Sequence, residues 1–220
     1  MEGGLPPGDG QSMAHPIPPL PLNTSRLVLR QPTPRDADVI QKAIEESFDS
    51  LHRWMPWATT LQSLEDTREF LVGAERKFLE GEDFAVSAFL NETGEFVLSS
   101  GIHPRNWSVP KFEIGYWCRA SMQGRGYATE AVKGLTRLAF EAMGATRVEI
   151  RCDSRNQPSR RVAELAGYRL KAELRSDDRA NDGSLRDTVV YALLSGEFQQ
   201  RAAEFHAAFY EGAGVKGHKS

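Results

Sequence analysis

Residues 122–132, MQGRGYATEAV, decide how this chain is read. Gly124 and Gly126 flank an arginine directly ahead of a run with helical apolar spacing. Glycine leaves backbone N–H groups without side-chain cover and tolerates positive φ, and the first turn of a helix holds amides with no partner inside the helix. A loop of this kind suits an anion. A dinucleotide fingerprint would need a third glycine or alanine where Thr129 stands, and half of a doubly wound sheet upstream. Asp153 could mimic its ribose carboxylate, but the upstream sequence does not read as such a half-sheet. A lysine-type phosphate loop is excluded, because no lysine followed by serine or threonine closes the motif.

The neighbours of the loop give the order of elements. Upstream, KFEIGYWCRA (111–120) reads as a strand, and DFAVSAFL (83–90) and EFVLSSGIH (95–103) as a hairpin turning at NETG. RLVLRQ (26–31) is an earlier strand. It is followed by a capped helix over TPRDADVIQKAIEESF (33–48), an aromatic loop LHRWMPWAT (51–59) and a second helix over 63–81. Downstream, Ala128, Val132, Leu135, Leu138, Ala139 and Met143 form one face of a long helix. Then come a strand TRVEIRC (146–152), a short helix SRRVAELAGY stopped by Gly167, and closing strands RLKAELR (169–175) and TVVYALL (188–194). SDDRANDGSLRD (176–187) is polar enough to be the tip of the last hairpin. Three units are expected: a disordered Pro/Gly-rich tail over 1–22, a domain over 23–196, and an amphipathic helix and tail over 197–220. Phe198, Ala202, Phe205 and Phe209 share a face of that helix, which is expected to dock on its own domain and permits a homodimer.

The 220 residues are 40% hydrophobic and 26% charged, enough for one sizeable core plus tails. A formal net charge of −3 offers no general attraction to nucleic acid or to an anionic membrane, so a polyanion must be held by a local cluster. Arg119, Arg125, Lys133, Arg155, Arg160 and Arg161 lie near the loop or the following motif in sequence. Cys118 and Cys152 have no zinc or disulfide spacing partner and the five histidines are scattered, so no metal site is expected and a reducing compartment is. No lysine or arginine precedes Arg26, and the uncharged stretches are broken by proline or glycine. A cytoplasmic chain without a membrane partner is the expectation.

Gln123-Gly124-Arg125-Gly126-Tyr127-Ala128 resembles the Q/R-x-x-G-x-G/A motif of the GNAT acetyltransferases. The EIGYW strand before it, and Asn156-Gln157-Pro158-Ser159 with ELAGY after it, extend the likeness to that family's Asn-x-x-Ser and Gly-Phe/Tyr pattern. RLVLR at the start and WMPW in the first loop are similar to the RimJ/RimL branch, which acetylates N-terminal amines of ribosomal proteins and has members with other acceptors. The resemblance implies an α/β (mixed α+β) fold: a central mixed, mostly antiparallel sheet with splayed central strands and helices on both faces. It implies an acetyl-CoA-dependent N-acetyltransferase that needs no metal. Gln123, Gly124, Arg125, Gly126, Tyr127, Ala128 and Thr129 would hold the pyrophosphate of the coenzyme. Trp117 and Cys118 would meet the pantetheine arm through freed backbone groups, one amide polarising the thioester carbonyl. Gly115 is expected to mark a bulge in that strand. Asn156 would bond the amide portion of the coenzyme, or simply make the turn. Ser159 would protonate the leaving thiolate, or act only as a helix-start serine. Glu113 is the candidate base, directly or through water, with a surface carboxylate as its alternative. Cys118 has no neighbouring histidine to activate it as a covalent carrier, so packing and direct transfer are expected. Trp54 and Trp57, with Asp177, Asp178 and Asp182, would wall the acceptor side, or be core anchors and a solvated turn.

The acceptor is narrowed by proton chemistry. With pKa values near 7.8 and 10.4, roughly a tenth of α-amines but under about a thousandth of lysine amines are neutral at pH 7. That gap of about 2.6 units, roughly 3.5 kcal/mol, makes a modest base adequate for a protein or peptide N-terminus. A small amine such as an antibiotic, polyamine or amino acid is the alternative acceptor, and a non-catalytic acyl-CoA sensor the alternative class.

Overall fold

The computed structural model describes residues 15–210, the side chains of 207–210 excepted. In chain order the elements are β1 (Leu22–Asn23), β2 (Leu27–Arg30), α1 (Ala37–Trp54), α2 (Leu64–Leu79), β3 (Phe84–Leu90), β4 (Phe96–Asn106) and β5 (Lys111–Cys118). They continue with α3 (Tyr127–Glu141), β6 (Arg147–Asp153), α4 (Gln157–Leu165), β7 (Arg169–Arg179), β8 (Leu185–Leu194), α5 (Ser195–Gln200) and α6 (Ala202–Tyr210). The strands make one sheet in the order β1-β2-β3-β4-β5-β6-β8-β7. Every neighbouring pair is antiparallel except β5 and β6. This is the mixed, mostly antiparallel sheet that the sequence led us to expect.

Alternation along β5 divides the core. Phe112 and Ile114 join Val132, Leu135 and Ala139 of α3 and Leu27 and Leu29 of β2 in one cluster. Trp117 joins a second, built by Ile40, Ala43 and Ile44 of α1, Leu71 of α2, and Phe89 and Phe96. Helix starts are set locally. Ser63 Oγ accepts from the Asp66 amide at 3.1 Å while Asp66 Oδ2 accepts from the Ser63 amide at 2.9 Å, a reciprocal cap for α2. Asn156 Oδ1 accepts from the Ser159 amide at 3.1 Å and caps α4.

Four boundaries differ from the sequence reading. The first helix runs on to Trp54, so that tryptophan ends α1 instead of sitting in the aromatic loop. The last hairpin has longer strands than its polarity suggested: β7 reaches Arg179 and β8 starts at Leu185, leaving a short tip. Residues 1–14 of the expected disordered tail lie outside the described residues, and residues 15–22 are placed against the domain. There His15 stacks on Trp107 at 4.0 Å, Pro18 is buried and Leu22 pairs with Leu29. The tail helix breaks at Arg201 into α5 and α6, and Phe198 and Phe205 bury on the domain, with Phe198 stacked on Phe140 at 4.6 Å. Phe209 lies outside the residues whose side chains are described.

Gly115 marks no bulge, for β4 and β5 stay in register there, Gly101 facing Gly115. Gly101 instead makes room for an imidazole, which the facing Gly115 meets at ordinary contact distance. A Cβ on Gly101 would lie 2.6 Å from His103 Cε1 and 2.9 Å from the Phe84 carbonyl oxygen, and one on Gly115 3.6 Å from His103 Nε2. The ring is held by Asp83, whose Oδ1 lies 2.6 Å from Nδ1. Backbone cannot yield as a side chain can, so Gly101→Ala is expected to destabilise the fold by roughly 1–3 kcal/mol. Gly115→Ala should cost less. Urea unfolding of the two variants, followed by circular dichroism, compares them.

Candidate active site

β5 is bonded on both edges only at its start. It pairs with β6 at Lys111↔Arg147, Phe112↔Val148 and Glu113↔Glu149, and no further. Its pairing with β4 continues to Cys118. β6 meanwhile stays on β8 to Asp153. Residues 114–118 therefore present an open strand edge inside the sheet, and a cleft of about 1100 Å³ occupies the fork.

Most of the expected residues converge on this cleft. Glu113, Trp117 and Cys118 line it from β5; Gln123, Gly124 and Gly126 from the loop; Tyr127, Ala128 and Thr129 from α3. Asn156 and Ser159 line it from α4, and Trp54 from the end of α1. Arg125 and Trp57 do not line it. Arg125 is exposed beside the loop. Trp57 is 39% exposed and lies behind Trp117, their ring centres 6.3 Å apart.

The loop has the backbone its glycines permit, with φ of 72° at Gly124 and 82° at Gly126. Among the described residues, no acceptor meets the amides of Gly124 to Thr129, whereas the next, Glu130 N–H, bonds the Gly126 carbonyl at 3.1 Å. Gln123 Nε2 donates to the Cys118 carbonyl at 3.0 Å and ties the loop to the end of β5. These orphan amides at a helix start form an anion cradle. The sequence reading missed Glu130, which is buried beneath the loop. Burial raises its pKa, but hydrogen bonds from Thr24, Arg26 and Ser25 outweigh that and hold it below the ordinary carboxylate value.

The expected basic cluster is thinner than its sequence suggested. Arg119 is bound to Glu46 at 2.6 Å and Glu95 at 2.9 Å, Arg155 to Asp153 at 2.7 Å, and Arg160 to Tyr191 and the Ser154 carbonyl. At the loop the unbonded groups left facing the cleft are backbone amides more than these arginines.

Ser159 has a partner that spacing did not reveal. The Tyr116 hydroxyl lies 3.1 Å from Ser159 Oγ and donates to the Ser159 carbonyl at 3.1 Å. Burial holds the Tyr116 proton far above the ordinary phenol range. Tyr116 alternates with Trp117 along β5, and period-2 alternation could have flagged it. Cys152 also lines the cleft, its thiol pushed up by burial and drawn partly back by a hydrogen bond from Ser159.

At the fork, Glu113 Oε2 accepts from Arg105 Nε at 3.1 Å. Its register partner Glu149 is buried and bound to Arg147 at 2.6 Å and Lys111 at 3.1 Å. Burial raises the Glu149 pKa, and these two cations more than reverse it. Asp177 and Asp178 line the cleft but are paired with Arg151 at 3.3 Å and Arg186 at 2.6 Å. Asp182 only closes the hairpin turn, accepting from Ser184 N–H at 2.9 Å. The tip is clamped over the end of α1 by Asn181, whose Nδ2 donates to the His52 carbonyl at 2.7 Å and the Met55 carbonyl at 3.0 Å.

A family model described as an acetyltransferase (GNAT) domain matches residues 26–169. The chain belongs to the GNAT acetyltransferase family. It is an N-acetyltransferase that draws its acetyl group from acetyl-CoA. Among its relatives, "uncharacterized N-acetyltransferase p20" of Bacillus licheniformis is 27% identical over 177 residues, covering 80% of this chain and 97% of that one. The ribosomal-protein-serine acetyltransferase of Escherichia coli K12 is 29% identical over 145 residues, 66% and 79% of the two chains. A solved structure of Mycobacterium smegmatis RimJ in complex with CoA-disulfide superimposes with a TM-score of 0.74 at 25% identity, covering 88% of this chain and 96% of that one. The site fits the cosubstrate: bare amides at a helix start suit a diphosphate, and an open strand edge suits a chain of amides. Among the described residues, no helix is long and apolar enough to cross a membrane and no cluster is suited to a metal.

Burial pushes the Cys118 thiol up to about 11. At pH 8 it is expected to react with an aromatic disulfide reagent at least about tenfold slower than free cysteine, whose pKa is about 8.5. The measurement is single-thiol labelling in a Cys152→Ser background, where the rate should climb with pH toward the raised value.

Proposed function

We propose that this GNAT acetyltransferase transfers the acetyl group directly to the N-terminal amine of a protein or peptide, as the names of its ribosomal-protein relatives suggest for them. One observation supports that acceptor above the others: the carboxylates lining the acceptor end, Glu113, Glu149, Asp177 and Asp178, all carry a cationic partner. A polycationic antibiotic or polyamine would call for unpaired carboxylates. An amine that arrives neutral does not, and an α-amine is neutral far more often than a lysine at pH 7.

In this reading the amides of Gly124 to Thr129, with the neighbouring Gln123 and Arg125, hold the diphosphate. The free edge of β5 pairs with the pantetheine arm through the backbone of Tyr116 and Cys118. The Trp117 backbone, contrary to expectation, faces β4, since the Arg119 amide bonds the Val97 carbonyl and alternate residues follow suit, so Trp117 meets the arm with its side chain. Asn156, whose Oδ1 caps α4, keeps its Nδ2 for the amide portion of the coenzyme. Trp54 walls the acceptor side, with Trp57 supporting Trp117 from behind. The acceptor nitrogen bonds to the acetyl carbon as the carbon–sulfur bond breaks. Glu113, oriented by Arg105, takes the proton from nitrogen, directly or through water. Ser159, positioned by Tyr116, returns one to sulfur.

Thiol release from acetyl-CoA is expected with peptides that have a free N-terminus, and not with peptides whose N-terminus is blocked but which keep a lysine. Ser159→Ala should lower kcat by about 10- to 1,000-fold with little change in the acetyl-CoA KM. Turnover of the blocked peptide would overturn the acceptor, and coenzyme binding without release across peptides and small amines would point to a sensor.

A further inference from the structure

Glu130 is out of place for an anion site. It stands in the first turn of α3, directly after the bare amides, where a carboxylate would repel a diphosphate. It is nonetheless nearly fully buried, 9% exposed. Four donors hold it, all from the segment leading into β2: Thr24 Oγ1 at 2.6 Å, Ser25 Oγ at 3.0 Å and the Arg26 amide at 2.8 Å on one oxygen, and Arg26 Nε at 2.7 Å on the other. Arg26 NH2 lies 2.7 Å from that second oxygen. Arg26 is the one cation paired with this carboxylate among the described residues.

The same guanidinium reaches the loop. Its NH1 donates to the Arg125 carbonyl at 3.0 Å, its NH2 stands 3.5 Å from where a Gly126 Cβ would be, and its centre lies 4.5 Å above the Tyr127 ring. Three consecutive residues, Arg125 to Tyr127, therefore rest on one side chain that stands just ahead of β2, about a hundred residues earlier in the sequence. Engaging the Arg125 carbonyl keeps an acceptor turned away from the incoming anion.

We propose that Arg26 is a positioning residue for the coenzyme: it cancels the Glu130 charge under the loop and fixes the loop backbone, so that the amides of Gly124 to Thr129 meet the diphosphate. This rests on the reading that those amides hold the diphosphate. Arg26 acts through the loop, so its effect belongs to coenzyme affinity and not to proton transfer.

The test is a charge-swap cycle read by calorimetry with CoA and by steady-state kinetics with acetyl-CoA and S-acetylpantetheine, which lacks the diphosphate. Arg26→Ala is expected to weaken CoA binding at least tenfold and raise the acetyl-CoA KM in step, with kcat within about threefold of the wild type. S-acetylpantetheine kinetics should stay within about threefold. Removing the stranded charge should restore affinity, so Arg26→Ala/Glu130→Gln is expected to bind CoA at least threefold more tightly than Arg26→Ala. If Arg26→Ala unfolds, Arg26→Lys keeps the charge but not the reach to Arg125, and an intermediate loss with acetyl-CoA alone supports the proposal. Unchanged CoA affinity in the alanine or lysine variant, no recovery in the double variant, or equal losses with both thioesters would overturn it. The loop reading fails separately, if Gly126→Ala harms both thioesters equally.

Discussion

The fork between β5 and β6 is the constraint on which the site depends. A strand buried within a sheet must satisfy its backbone groups on both edges. β5 does so through Glu113 and then on one edge alone. β4 holds it on one side, while β8 draws β6 away on the other. The parallel ladder ends at two facing glutamates, Glu113 and Glu149, so charged side chains and their cations gather where the strands part. The unpaired edge is a vacant place for an extended, amide-bearing ligand, which is what an acyl-pantetheine arm is. Helix α3 starts beside the end of that edge, and its bare amides lie in the same cleft. One strand separation thus sets both where a thioester would lie and where its phosphates would go.

The second theme is charge held in pairs. In the proposed reading a chain of net charge −3 needs no free arginine cluster for a polyanion, because helix-start amides suit one. Arginines that look available in sequence are already paired with acids: Arg119 with exposed Glu46, Arg155 with buried Asp153, Arg147 with buried Glu149. Arg26 with Glu130 belongs to the same pattern, but its guanidinium also touches the anion loop. Pairing at the acceptor end leaves a polar wall with little net attraction for cations. In the proposed reading such a wall does little to gather protonated amines and leaves reaction to the fraction that is already neutral.

Much of the architecture was legible locally. The 3.6-residue spacing of Val132, Leu135 and Ala139, the alternation in RLVLRQ and the hairpin at NETG each fix an element through contacts with near neighbours in sequence. Boundaries went astray where tertiary contacts override composition. The tip of the last hairpin is polar yet β7 extends to Arg179, because Asp178 and Arg179 pair across to Arg186 and Leu185. Trp54 stays helical, because α1 continues beneath a hairpin tip that bonds its terminal carbonyls through Asn181. Gly115 reads as a bulge because glycine in a strand weakens pairing, yet the ladder runs through it in register, opposite a Gly101 whose missing side chain leaves space for His103.

The sequence by itself determined the anion loop, the order of elements and the family, because glycine conformations, caps and periodicity are short-range properties written within a few residues. Only the tertiary structure decided that Tyr116 meets Ser159, that Arg26 bonds both Glu130 and the Arg125 carbonyl, and that Glu113, Glu149, Asp177 and Asp178 are paired. The first two join segments about 40 and about 100 residues apart in sequence, and the acid pairs depend on strand register and side-chain direction, none of which is written in local periodicity.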